Sequence, residues 1–115
     1  MLATLPALCP DPLYNSKLPE DCSFYPDCLE STYHCGLNGY PMGYGNKYCN
    51  KFLDNYDDYS KDGQAWIDGT LLCLKSALVP LVENTSGQTC QTVNTIAFNS
   101  HVDCYVDNGF CDLAF

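Results

Sequence analysis

The residues best suited to chemistry in this 115-residue chain are its nine cysteines, and their spacing decides which chemistry that is. Cys22, Cys28, Cys35, Cys49, Cys73, Cys90, Cys104 and Cys111 follow Cys9 with no adjacent pair and no Cys-x-x-Cys. Short zinc sites need close ligand pairs, because two thiolates on one tight turn must reach the same tetrahedral ion. Thioredoxin-type exchange also runs on a Cys-x-x-Cys. With neither motif in the sequence, the thiols read as structural cross-links.

Other reactive types give weaker signals. His101 and Asp103, with Cys35-Gly36 and Gly39 upstream, invite comparison with secreted phospholipases A2, whose His-Asp pair follows a glycine-rich calcium loop. Here the histidine and aspartate are not adjacent, and His101 lies far from Cys35, so His101 reads as a polar residue on an amphipathic helix. His34, beside Cys35, is an ordinary surface or core histidine by the same weighing. No Gly-x-Ser-x-Gly elbow occurs. The acidic run Asp54, Asp57, Asp58 and Asp62 ending at Gly63 offers the carboxylates of a calcium loop but not its pattern. Counting from Asp58, the twelfth position is Gly69, where a bidentate glutamate is required. We expect no submillimolar calcium site there, no enzyme, and no cofactor or metal.

The cysteine content approaches the roughly 8–10 % that marks small secreted scaffolds, so an oxidising, extracellular compartment is expected. Asn84-Thr85-Ser86 is a sequon in a polar stretch after Pro80, where a glycan would be tolerated. Met1 to Leu8 is apolar but shorter than a signal peptide and lacks a basic start, so a leader is expected to have been removed or omitted upstream. No stretch reads as a membrane span, and no membrane insertion is expected. A formal net charge of -9 repels phosphate backbones and anionic lipid, which disfavours nucleic acid and membrane surfaces as partners.

The elements that must position the cysteines read as helices. Residues 1–20 form an extended arm, because Pro6, Pro10, Pro12 and Pro19 prevent a continuous helix, and Cys9 holds it. Residues 21–115 form one domain. A short helix carrying Phe24, Cys28 and Leu29 is expected to be interrupted near Pro26. The stretch Gly36–Asn46, rich in glycine and tyrosine, reads as a loop that presents Tyr40 and Tyr44. Tyr48, Cys49, Phe52, Leu53 and Tyr56 then form one stripe of an amphipathic helix over 47–59. A broad, buried helix follows, capped by Asp62 and stopped by Pro80, with Gly69 packed closely against a neighbour. Thr85-x-x-Gln88 has the form of a capping box for a last helix bearing Cys90, Val93, Ile96, Ala97 and Cys104, antiparallel to the one before. The fold class expected is all-α and disulfide-rich.

Cys28-Leu29-Glu30, Cys49-x-Lys51-Phe52-Leu53, Gly63-x-Ala65-Trp66-Ile67 leading to Leu72-Cys73-Leu74, and Asp103-Cys104-Tyr105 ending at Cys111 together resemble the stanniocalcin family. The resemblance runs from about Cys9 to Ala114. The Cys49–Cys73, Cys90–Cys104 and Cys104–Cys111 intervals look like those of the family, with a one-residue difference before Cys90. The Cys35–Cys49 interval is longer than in the vertebrate hormones, which makes the Gly/Tyr stretch look like an insertion.

The resemblance implies that Cys9 pairs with Cys28, Cys22 with Cys49, Cys35 with Cys90, and Cys73 with Cys104, a choice that sequence alone leaves among on the order of a thousand arrangements. Cys111 is left over. It is a free thiol, a link between two chains, or the mark of a longer protein, and the interchain link is favoured because the cysteine count is odd. By the same resemblance the chain is a secreted, non-enzymatic, hormone-like glycoprotein acting by contact with a protein partner or with itself. Family members are extracellular dimers associated with mineral regulation, and one branch restrains a metalloproteinase. The competing expectation is an extracellular structural subunit that self-assembles into a filament or matrix, with Tyr40 and Tyr44 as contacts.

Overall fold

The computed structural model describes residues 19–113, and every regular element among them is helical. The expected arm over 1–20 lies almost wholly outside the described residues. Helix α1 starts as wide π turns at Phe24–Glu30 and continues as Ser31–Tyr33, unbroken at Pro26. Pro26 sits in the first turn, where its missing N–H has no acceptor to lose, so the expected interruption does not occur. Phe24, Tyr25, Cys28 and Leu29 are buried by this helix. It ends at His34, an exposed residue in the left-handed region with φ 53°. The Glu30 carboxylate reaches past that end and accepts from Cys35 N at 3.1 Å and Gly36 N at 2.8 Å.

Helix α2 runs through Pro41–Asn46 and on into Lys47–Asp54, which confines the expected loop to the residues before Tyr40. Pro41 supplies a helix-compatible φ at the first position. The glycines serve packing here: a Cβ at Gly45 would occupy the space of the Tyr25 ring, so α1 and α2 approach closely only because Gly45 has none. The stripe expected to continue to Tyr59 instead ends at Asp54 and is followed by a 3-10 turn, Tyr56–Asp58.

Helix α3, Lys61–Ser76, is the central element. Its cap is Ser60, whose Oγ accepts from Gly63 N at 3.1 Å, and not Asp62, which already lies within the first turn. The helix stops at Ser76 without help from Pro80, which instead opens the short helix α4, Val79–Glu83. Helix α5, Cys90–Asp107, is capped by Thr89, which accepts from Thr92 N while Thr92 Oγ1 accepts from Thr89 N. The capping box therefore lies four residues beyond the Thr85–Gln88 pair expected to form it.

α3 and α5 pack antiparallel, as Cys73 faces Cys104 and Gly69 faces Asn108. The core between them and α1 holds Trp66, Ile67, Leu71, Leu78, Val93 and Ala97 with Phe24 and Leu29. Lys75 is also fully buried, and its Nζ donates to Asp21 O at 2.6 Å, which ties the start of α1 to α3. Contrary to the sequence reading, the stretch Lys61–Glu83, which takes in α3, the turn after it and α4, is long and apolar enough to cross a membrane by length and composition. In this fold half of its apolar window is buried, and Cys73 is bonded to α5.

Candidate functional site

Three disulfides lie within the described residues: Cys22–Cys49, Cys35–Cys90 and Cys73–Cys104, with Cα separations of 5.8, 5.7 and 5.6 Å. They join the segment just before α1 to α2, the turn after α1 to α5, and α3 to α5. Cys28 is also disulfide-bonded, while Cys9, its implied partner, lies outside the described residues. Cys111 is a free, exposed thiol in the 3-10 turn Phe110–Asp112.

Beside that thiol, α5 carries exposed apolar residues at helical spacing. Phe98 is 45 % exposed, Val102 68 % and Val106 49 %, and the turn that carries Cys111 follows the end of the helix, with Phe110 packed on Trp66 and Tyr105. Residues four apart share a helix face, so these side chains form one band opposite the buried Val93, Ala97 and Cys104. Sequence reasoning missed this band because it followed the buried stripe; the spacing 98, 102, 106 was the available signal. The two expected tyrosine contacts separate. Tyr44 is exposed, whereas Tyr40 is only 3 % exposed and belongs to the interior, which corrects its expected place on the surface. Phe98 bridges them, edge-on to both rings with centroids 5.4 Å away.

Behind Tyr44 lies a cleft of about 290 Å³ between α1, α2, α3 and α5. Tyr25, Tyr40, Leu71 and Leu74 form its buried floor, and Tyr44 and Tyr48 stand at its mouth. His101 lines one wall. Its Nε2 lies 3.3 Å from the Tyr40 hydroxyl, its ring stacks on Tyr105 at 6.0 Å, and burial lowers its pKa. The sequence reading had His101 as a polar residue on an amphipathic helix; the helix is there, and the ring is half-enclosed by those of Tyr40, Phe98 and Tyr105. Asp103 is two positions along α5 and so nearly opposite on the helix, which rules out a His101–Asp103 pair of the phospholipase kind. Burial raises the pKa of Tyr25 and Tyr40, so both phenols are neutral over the physiological range.

A second cleft of about 440 Å³ surrounds Trp66, whose Nε1 donates to Tyr105 O at 3.1 Å. Asp58 and Ser60 stand at its rim. Asp57 and Asp58 lie in the 3-10 turn and Asp62 in the first turn of α3, and no group of three or more metal-ligating side chains is gathered among the described residues. Asn84 is exposed after α4, and its Oδ1 accepts from Ser86 N at 3.1 Å, folding the sequon into a compact turn at the surface.

No curated protein and no solved structure matches the chain. A model of the stanniocalcin family, whose members are secreted, hormone-like and non-enzymatic, matches residues 13–115. That span takes in the whole described helical domain with its three internal disulfides, and the chain therefore belongs to the stanniocalcin family.

Proposed function

We propose that this chain is a secreted, hormone-like glycoprotein that works by protein contact, with a second copy of itself as the first partner. The observation carrying this reading is the exposed band Phe98, Val102 and Val106 leading to the free thiol of Cys111. An apolar band on one helix is self-complementary across a two-fold axis, since the same patch meets itself. Two such bands bring two Cys111 side chains to one interface, where an oxidising compartment joins them. Tyr44 borders the band and contributes aromatic area, the kind of residue that dominates interface cores. Asn84 is the proposed glycan carrier. It follows α4, in a segment apart from this band.

The test is light scattering of natively purified protein beside Cys111→Ser and Val102→Lys/Val106→Lys. The reading expects a discrete dimer that Cys111→Ser turns into a concentration-dependent one and the double lysine variant turns into a monomer under reducing conditions. A monomeric wild type, or an open polymer, contradicts it.

A further inference from the structure

The aromatic cleft behind Tyr44 has the features of a ligand site, and none of them depends on the dimer. Its floor is sealed: Tyr25 is 1 % exposed, Leu71 2 % and Tyr40 3 %. Its lining contains no lysine, arginine, aspartate or glutamate, although the chain as a whole carries a net charge of -9. The lining is instead mostly ring faces and edges from Tyr40, Tyr44, Tyr48, Phe52 and Tyr105. Such walls favour flat, apolar molecules, and a space of this size sits at the small end of known ligand pockets, enough for one or two fused rings.

Polar groups in the cleft are few and not equivalent. The Tyr40 hydroxyl already pairs with His101 Nε2 at 3.3 Å, so it is engaged within the protein. The Tyr25 hydroxyl has no hydrogen-bond partner among the described residues. It is also not sealed off, because the one buried side-chain polar atom without a partner among those residues is Thr70 Oγ1. Tyr25 therefore keeps its small residual surface at a hydroxyl still able to donate, in a residue that lines the cleft. A bound acceptor exchanges the water such a hydroxyl meets for a hydrogen bond inside an apolar wall, a modest net gain.

We infer that this cleft binds a small uncharged molecule, mainly aromatic or alicyclic, carrying one oxygen that accepts from the Tyr25 hydroxyl. Tyr44 and Tyr48 close over its outer edge. Charged molecules are excluded by the absence of any counter-charge in the walls, since an unpaired ion in an apolar site is far costlier than an unpaired hydroxyl.

The probe is 2-naphthol, titrated calorimetrically into the intact disulfide-bonded protein, with naphthalene, 2-naphthalenesulfonate and 2-naphthyltrimethylammonium as comparisons. The expected result is saturable one-to-one binding of 2-naphthol, weakened roughly fivefold in Tyr25→Phe, the loss expected for one neutral hydrogen bond. Should Tyr25→Phe not fold, the wild-type comparison stands alone: naphthalene, which has no oxygen, must bind about fivefold more weakly than 2-naphthol. In proton NMR the shifts must move at His101 and not at the Trp66 indole N–H of the second cleft. Failure of 2-naphthol to saturate, equal binding of naphthalene, indifference to Tyr25→Phe, tighter binding of either charged probe, or shifts centred on Trp66 would each overturn the inference.

Discussion

The side chain of Asn108 occupies the space over Gly69 that any Cβ would claim, and its Nδ2 donates to Cys104 O at 2.7 Å. This contact closes the C-terminal end of α5 against the middle of α3. It explains a glycine inside a helix, where alanine would ordinarily be favoured by about 1 kcal/mol. Gly69→Ala must displace Asn108 and break its hydrogen bond, so we expect a net destabilisation of about 1 kcal/mol despite the gain in helix propensity. In an Asn108→Ser background the same substitution should stabilise instead. Urea denaturation of the four proteins measures both signs, and additive effects would show that the two sites do not touch.

Lys75 gives the protein a distinctive alkaline response. Burial pushes its pKa down to about 8, against roughly 10.4 in an unfolded chain. Between these values the folded state has shed the proton and the unfolded state retains it, so stability rises with pH across that window. We expect the melting temperature to increase from pH 7.5 to pH 9.5, with Cys111 alkylated to prevent disulfide exchange, and Lys75→Met to flatten that increase. An equal increase in Lys75→Met assigns it to other groups.

The buried phenols act in the opposite direction at higher pH. Tyr25 and Tyr40 hold their protons above the usual tyrosine range because burial disfavours the phenolate, and each raises the pKa of its neighbour or is raised by another nearby phenol. Their contribution to stability is complete below pH 10 and is lost as pH rises beyond it, when the unfolded state ionises first. Ultraviolet titration at pH 11 should find fewer phenolates in the native protein than in guanidinium. Equal counts would place both rings in contact with solvent.

The Cys73–Cys104 bridge spans 31 residues and locks the antiparallel pair at the same faces that Gly69 and Asn108 bring together. Its removal as Cys73→Ala/Cys104→Ala should cost about 3 to 4 kcal/mol by releasing loop entropy in the unfolded chain. Denaturation midpoints with unchanged denaturant slopes would measure that cost, and a loss under 1 kcal/mol would show that packing alone holds α3 to α5.

Much of this fold could be read from residue spacing. The all-α class, the antiparallel pairing of the last two long helices and the close approach at Gly69 follow from apolar periodicity and from one glycine inside a strong helical pattern. Element ends were harder to place, because capping depends on which hydroxyl reaches the free N–H groups. Ser60 and Thr89 do so, whereas Asp62 and Thr85 offer similar chemistry within about a turn of them. The Gly/Tyr stretch misled for a tertiary reason: Gly45 is there to admit Tyr25, a residue far away in sequence. The same partner-dependence hid the cleft. Tyr25, Tyr40 and His101 come from three separate segments, and no local pattern announces that they meet.

The most direct test of the account is disulfide mapping by mass spectrometry on natively purified, unreduced protein. The expected result is Cys22–Cys49, Cys35–Cys90 and Cys73–Cys104 within each chain, and a Cys111–Cys111 peptide linking two chains of a discrete dimer. A Cys111 recovered as a free thiol from a monomer would contradict the proposed contact through α5, and exchange among the three internal pairs would contradict the fold itself.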